Sequence, residues 1–225
     1  MAYTEIVQNL RLNQFENDND KHKSLNEMIE LANNEKGRNL LCESTICDFI
    51  CDTLHLEKSV EIVTSLCVLI GYLGLSDKYR PILFKNEVAN IIVNAFEHVH
   101  SFEDKLKIIK ASKYLSQTKD DAIKLIEAGL MAHLCDALRT ADTDIDKKSV
   151  SFYIFWLSYI THNKKTALNY NCVELMYNAV ESISNKPIQS HILTDMNYFV
   201  SDELPYSKYP IYTLWRTDFQ LYLKV

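Results

Sequence analysis

Glycine and proline are scarce. The 225-residue chain has four of each, too few for an all-β protein, which needs a turn roughly every 8–12 residues. No run of about 18 apolar residues occurs, so no membrane span is expected. Positive charge is not in excess: 24 Lys and Arg stand against 30 Asp and Glu, a formal net charge of −6. That balance argues against a surface devoted to a phosphate backbone, where a basic footprint is expected. There is no Gly-rich phosphate loop, no Gly-x-Ser-x-Gly elbow and no His-Glu-x-x-His pair. The carboxylates are scattered. No catalytic residue, cofactor or metal is therefore expected, and the chain is read as non-enzymatic. The start, MAYTEIVQNLRLNQ, lacks the charged head and apolar middle of a secretory signal. The six cysteines are helically spaced in a chain too long to need disulfide staples. Reduced thiols and a cytoplasmic or nuclear location are expected.

What the chain does have is a repeat. Stepping by 42 from Leu31 meets Leu73, Leu115, Leu157 and Phe199. The same step from Met28 meets Ile70, Ser112, Ile154 and Met196. Further apolar columns start at Leu41, Ile46, Ile50 and Leu54 and run through four units without a gap. Each unit reads as two longer helices with a short one between. In the third, FEDKLKIIKASKYLSQ carries Leu106, Ile109 and Leu115 at helical spacing. TKDDAIKLIEAG opens on a Thr-x-x-Asp cap and closes at Gly129, which tolerates a left-handed turn. LMAHLCDALRT is the next helix, and ADTDID is a polar turn whose acids suit the following helix N-terminus.

No such unit can bury its own apolar faces, so neighbours must stack. The expected architecture is all-α, one domain over 1–225. It comprises a cap helix and link (1–21), repeats at 22–58, 59–100, 101–142 and 143–184, and an irregular final repeat and cap (185–225). The cap helix is expected from Tyr3 to Phe15. The final segment is broken by Pro205 and Pro210 and carries recurrent aromatics from Tyr206 to Tyr222.

DAIKLIEAGLMAHLCDAL (121–138) resembles the armadillo repeat, where a short helix ends in a small-residue-Gly step before a Leu-rich helix. GRNLLCESTICDFICDTL (37–54), YRPILFKNEVANIIVNAF (79–96) and NKKTALNYNCVELMYNAV (163–180) are similar copies. The resemblance covers about residues 22–200. It implies a right-handed superhelix of about five repeats whose third helices, near 22–33, 59–75, 103–117, 147–161 and 188–201, line a concave groove. Peptide-binding armadillo proteins present a ladder of Trp and Asn along that groove. Here the Asn position reads Asn33, Leu75, Gln117, Tyr159 and Ser201. Only Asn33 fits, with Gln117 a partial substitute. The Trp position reads Ile29, Gly71, Lys113, Phe155 and Asn197. The ladder is absent, and recognition of nuclear-localisation peptides is not expected.

The stretch SFYIFWLSY (151–159) holds five aromatics in nine residues, and the register divides them. Tyr153 shares a column with Leu69 and Ala111 and reads as core. Trp156 shares one with Tyr72, Tyr114 and Tyr198 and reads as structural. Phe152, Phe155 and Tyr159 fall on groove-facing columns, which hold Lys110, Lys113 and Gln117 one repeat earlier and Thr194, Asn197 and Ser201 one repeat later. The candidate partner-binding residues are thus Asn33, Lys110, Lys113, Gln117, Phe152, Phe155, Tyr159 and Asn197. The expected partner is a protein or peptide segment with acids near aromatic or aliphatic anchors. Packing of Phe152 and Phe155 against the C-terminal cap is the competing reading.

Other constellations read as structural. Cys47, Cys51 and His55 recur every four residues, but the first and third lie about 12 Å apart along a helix, too far to share an ion. Both cysteines stand in apolar columns. His133 reads as half-buried, and His98 and His100 as helix-end or loop residues. Asp142, Asp144 and Asp146 lack the Gly and Glu of a calcium loop and read as turn and cap. The function expected is a scaffold or adaptor. The alternatives are nucleic-acid or phosphate binding through Lys105, Lys107, Lys110 and Lys113, or a regulatory domain for a GTPase or cytoskeletal assembly.

Overall fold

Apolar columns at a constant stride demand that each module repeat the same turns. A computed structural model describes residues 17–42 and 46–199, and the turns do repeat. The helices are α1 (Asp18–Ala32), α2 (Glu35–Cys42), α3 (Ile46–Leu56), α4 (Val60–Gly74), α5 (Arg80–Lys85), α6 (Val88–Asn94), α7 (Phe102–Leu115), α8 (Lys119–Glu127), α9 (Leu130–Thr140), α10 (Asp144–Thr161), α11 (Lys164–Asn169), α12 (Cys172–Glu181) and α13 (Lys186–Phe199). A 3-10 turn, Ala95–His98, extends α6. No strand occurs among the described residues. The third helices expected from the register are α1, α4, α7, α10 and α13. The expected cap segments, 3–15 and 205–222, lie outside the described residues.

Each of these long helices starts at the same place in its module. Asn17, Ser101 and Thr143 accept from the backbone N–H three residues on, and Asn185 does so from Ile188. Ser59 holds the equivalent place in α4 without a side-chain cap bond. Such an acceptor satisfies one of the orphan donors of the first turn. The expected Thr118 cap of α8 is also formed, with Asp121 N–H as donor.

The step from short to long helix repeats in backbone conformation. Glu87, Gly129 and Asn171 follow one another at a single stride, and all three are left-handed, with φ of 56°, 104° and 55°. Only glycine adopts this region without steric cost, and Asn tolerates it better than most. Glu87 carries the strain. Glu87→Gly is expected to raise stability by about 0.5–1 kcal/mol, relief of strain exceeding the added chain entropy, while Asn171→Gly changes little. Urea melts of the two variants check this.

The columns are buried as the stride requires. Met28, Ile70, Ser112, Ile154 and Met196 are all fully buried, as are Leu41, Leu83, Leu125 and Ala167. Leu73, Leu115, Leu157 and Phe199 are buried too, but Leu31 is half-buried. In α1 the buried stripe is Leu25, Met28 and Ala32, and no earlier long helix packs on it among the described residues. Cys47 and Cys51 are core, and burial pushes the Cys51 thiol up to about 12. His133 is half-buried; His98 and His100 are exposed, at the end of the 3-10 turn and in the loop after it.

The chain divides into two compact units, Met1–Ala128 and Gly129–Val225. In the first, α4 packs between α1 and α7. The approach is close because Gly71 and Gly74 lie where α4 crosses α7: a Cβ at Gly71 would stand 2.7 Å from Ala111 Cα. Two arginines one stride apart tie the short helices back to the long ones. Arg38 donates to the Ala32 carbonyl at 2.9 Å, and Arg80 to the Gly74 carbonyl at 3.1 Å. Each thereby satisfies a carbonyl left open at a helix C-terminus. Arg80 also donates through Nε to Asp121 of α8 at 2.9 Å and pairs with Asp77.

In the second unit α10 packs against α9 and α13, and α12 against α9 and α13. Asp144, at the start of α10, accepts from the Asn185 N–H at 3.1 Å, which fixes the start of α13. Asp195 occupies the column of Leu69, Ala111 and Tyr153, and burial pushes its carboxyl up to about 6 while Lys148 pulls the other way. A folded value above the ordinary 3.8 means the folded state holds the proton more tightly. Stability from this group is full below about pH 4 and is lost as pH rises through about 6. Asp195→Asn is expected to flatten that slope and to gain about 1 kcal/mol at pH 7.5, discounted for the group's partial solvation. Melts at pH 4, 5, 6 and 7.5 measure it.

Candidate protein-binding surface

In the first unit the long helices offer three unlike strips. On α1 stand His22, Asn26 and Ile29, with Asn33 at its C-cap; on α4, between its neighbours, Thr64, Val68 and Gly71, with Leu75 at its C-cap; on α7, Lys107, Lys110 and Lys113, with Gln117 just beyond. Helical spacing of three or four residues brings each strip to one side of its helix. The small residues of α4 leave a cleft of about 460 Å³ that reaches from His22 and Asn26 across Thr64, Ser65 and Val68 to Lys107. Ser65 Oγ and His22 Nδ1 lie 3.3 Å apart across it. The Ser101 hydroxyl and then Lys107 hold the Asp104 carboxyl below its usual range, so Lys107 is already paired, at 2.9 Å.

The expected residues of this unit are placed as follows. Asn33 caps the end of α1 through its backbone and its side chain is exposed. Lys110 is exposed and Lys113 half-buried. Gln117, just beyond α7, is exposed and donates its amide to the Lys113 carbonyl at 3.2 Å. Sequence reasoning passed over His22, Thr64 and Ser65, which sit about a turn nearer the helix N-termini than the columns singled out, and named Lys107 only for the nucleic-acid or phosphate alternative. The small side chains of Thr64 and Ser65, flanked by Val60 and Val68, were the available signal.

In the second unit the members of the aromatic run differ in burial. Tyr153 is core at 1 % exposure, Phe152 and Phe155 are half-buried, and Tyr159 is 50 % exposed. Trp156 is half-buried, as are Tyr72, Tyr114 and Tyr198. That column is structural at the rim of the core: Tyr72 and Tyr114 stack with centroids 5.7 Å apart. Phe155 contacts Phe152 at 6.1 Å and Tyr159 at 5.6 Å, and Tyr198 of α13 meets Phe155 and Tyr159 edge-on at 5.5 and 5.7 Å. The Tyr198 hydroxyl donates to the Ser158 carbonyl at 3.1 Å, and Lys164 stands 4.5 Å above its ring. Edge-to-face geometry is the favoured arrangement for such quadrupoles, so the cluster is ordered by its own contacts. Asn197, beside Tyr198, is exposed. Two members of this cluster were missed: Tyr198, because its column looked structural, and Lys164, because it comes from short helix α11.

Among the described residues no group of three or more His, Cys, Asp or Glu side chains is placed to hold a metal ion, and no helix is long and apolar enough to cross a membrane. Asp142 and Asp144 lie at the turn before and the start of α10, and Asp146 N–H is the donor of its cap bond.

No family model and no curated protein matches the sequence. Solved structures do match. One is an engineered protein, 10% identical, with a TM-score of 0.71 over 85% of this chain and 79% of that one. Another is a designed armadillo repeat protein in complex with the peptide (KR)4, 13% identical, with a TM-score of 0.63 over 89% of this chain and 100% of that one. A further designed armadillo repeat protein is 14% identical, with a TM-score of 0.60 over 87% and 99%. With modules, caps and left-handed steps recurring at one common stride, these likenesses place the chain in the armadillo-like all-helical repeat fold.

Proposed function

We propose that this chain is a non-enzymatic protein-binding module, a scaffold or adaptor of the cytoplasm or nucleus, that holds a peptide or protein segment on the exposed sides of its long helices. The observation that carries the reading is the cluster of Phe155, Tyr159 and Tyr198, rings locked edge to face yet left half-exposed or exposed. Aromatic anchors that desolvate on contact dominate the affinity of most interfaces. The designed relative that binds (KR)4 takes a basic peptide. Here Lys110 and Lys113 in the first unit and Lys164 in the second favour a partner with acids beside aromatic or aliphatic anchors, charge steering the encounter.

The test is the double change Phe155→Ser and Tyr159→Ser. It is expected to leave the helical melt in place and to weaken a partner captured by the wild type at least about tenfold. A variant that unfolds, or one that binds as well as the wild type, contradicts the reading. Salt separates the phosphate-binding alternative: nucleic-acid affinity falls steeply as salt rises, whereas aromatic-anchored binding changes little.

A further inference from the structure

Cys135 in the middle of α9 and Cys172 at the first position of α12 are both buried, at 2 % and 0 % exposure, and their sulfurs lie 3.4 Å apart. The repeat does not ask for thiols here. One stride earlier the same two positions hold Val93 and Leu130, and two strides earlier Cys51 and Val88. All four are buried, and neither earlier stride has a cysteine at both positions. Thiols in contact across two packed helices need to close by only about 1.3 Å to reach bonding distance.

We propose that Cys135 and Cys172 form a modification site, a thiol pair that a small peroxide oxidises to an intramolecular disulfide joining α9 to α12. The sulfur contact with Cys172 and, less strongly, the Arg139 charge hold the Cys135 thiol below its usual range against the opposing effect of burial. Cys135 is therefore the attacking sulfur. Its thiolate takes one oxygen of the peroxide, the O–O bond breaks, and hydroxide leaves as water after protonation, giving a sulfenic acid. The Cys172 sulfur then attacks that sulfenic sulfur, the S–S bond forms, and a second water departs. Two thiols and one hydrogen peroxide give one disulfide and two waters. The bridge fixes α12 against α9; α12 also packs on α13, which carries Tyr198.

The experiment treats the reduced whole chain with hydrogen peroxide and maps its peptides without reductant. The expected product has lost two hydrogens in mass and yields one linked pair of peptides containing Cys135 and Cys172. Titratable thiols in denaturant fall from six per chain to four, and the melting temperature rises by several degrees and returns with dithiothreitol. Cys172→Ser is expected to stop at a dimedone-reactive sulfenic acid on Cys135. If Cys135 proceeds to sulfinic acid in the wild type with no linked peptide, or if other cysteines are linked first, the proposal is overturned. The wild-type map decides this even where a serine variant does not fold.

Discussion

Arg80→Met is expected to cost the first unit about 2–4 kcal/mol. Arg80 is 6 % exposed and serves three acceptors: the Gly74 carbonyl, Asp121 and Asp77. Methionine keeps the length and apolar stem but removes every donor. The Gly74 carbonyl then closes its helix without a partner, and the Asp121 carboxylate, whose side chain is 13 % exposed, stands near the core without its cation. Removing one member of a buried pair leaves an uncompensated charge, the expensive case. Asp121 retains the Thr118 hydroxyl at 2.6 Å, which keeps the loss at the lower end of that class. Asp121→Asn, which preserves an acceptor, is expected to cost about 1–2 kcal/mol. Asp77→Asn is expected to cost almost nothing, since that side chain is 94 % exposed and exposed pairs contribute little. Urea melts followed by circular dichroism should rank the three in that order; equal losses would mean that Arg80 acts by packing alone.

Gly71→Leu should cost about 3 kcal/mol or more in the same assay. The reason is backbone proximity: even a Cβ would come within 2.7 Å of Ala111 Cα and 3.0 Å of Ala111 Cβ, and no rotamer moves a Cα. The helices must separate, losing contacts among Ile70, Leu73 and Ile108, all fully buried. Overpacking on this scale costs about 1–3 kcal/mol for small insertions and more for large ones. Gly71→Ala sets two effects against each other. Helix propensity favours Ala by about 1 kcal/mol, while the clash opposes it, and the clash is expected to win. Gly74→Ala meets the tip of Leu115 instead, at 2.6 Å. A side-chain end can yield, so a smaller loss is expected there. A stabilised Gly71→Ala would show that α4 and α7 do not approach as closely as described.

Much of the fold was legible because one stride reappears in every apolar column, and burial enforces a column wherever helices stack. The caps at Ser101 and Thr143 carry ordinary capping chemistry. The left-handed step was legible at Gly129 and hidden at Glu87, where the residue type contradicts the conformation and only the register gives it away. The Arg80 network was not legible, since its partners Gly74 and Asp121 lie 6 residues before and 41 after it. Nor was the Cys135–Cys172 contact, formed between helices 37 residues apart in sequence. Of the candidate site, Phe152, Phe155 and Tyr159 come together as expected because one helix carries all three. Tyr198 and Lys164 complete the cluster from other helices, and a single-column reading does not weigh such neighbours. Lys110 and Lys113 share a side of α7 for the same helical reason, while Gln117, beyond the end of α7, turns back to the Lys113 carbonyl.

The central claim is that modules repeating at a constant stride bury one stripe of each long helix and leave another exposed. Hydroxyl-radical footprinting of the native chain tests it most directly, because methionine and tyrosine are both reactive and stand on opposite stripes. Met28 and Met196, four strides apart, are predicted to be protected together relative to the unfolded chain, while Tyr159 labels nearly as fast as when unfolded. Oxidation of either methionine at its unfolded rate, or protection of Tyr159 equal to that of Met196, would contradict the account.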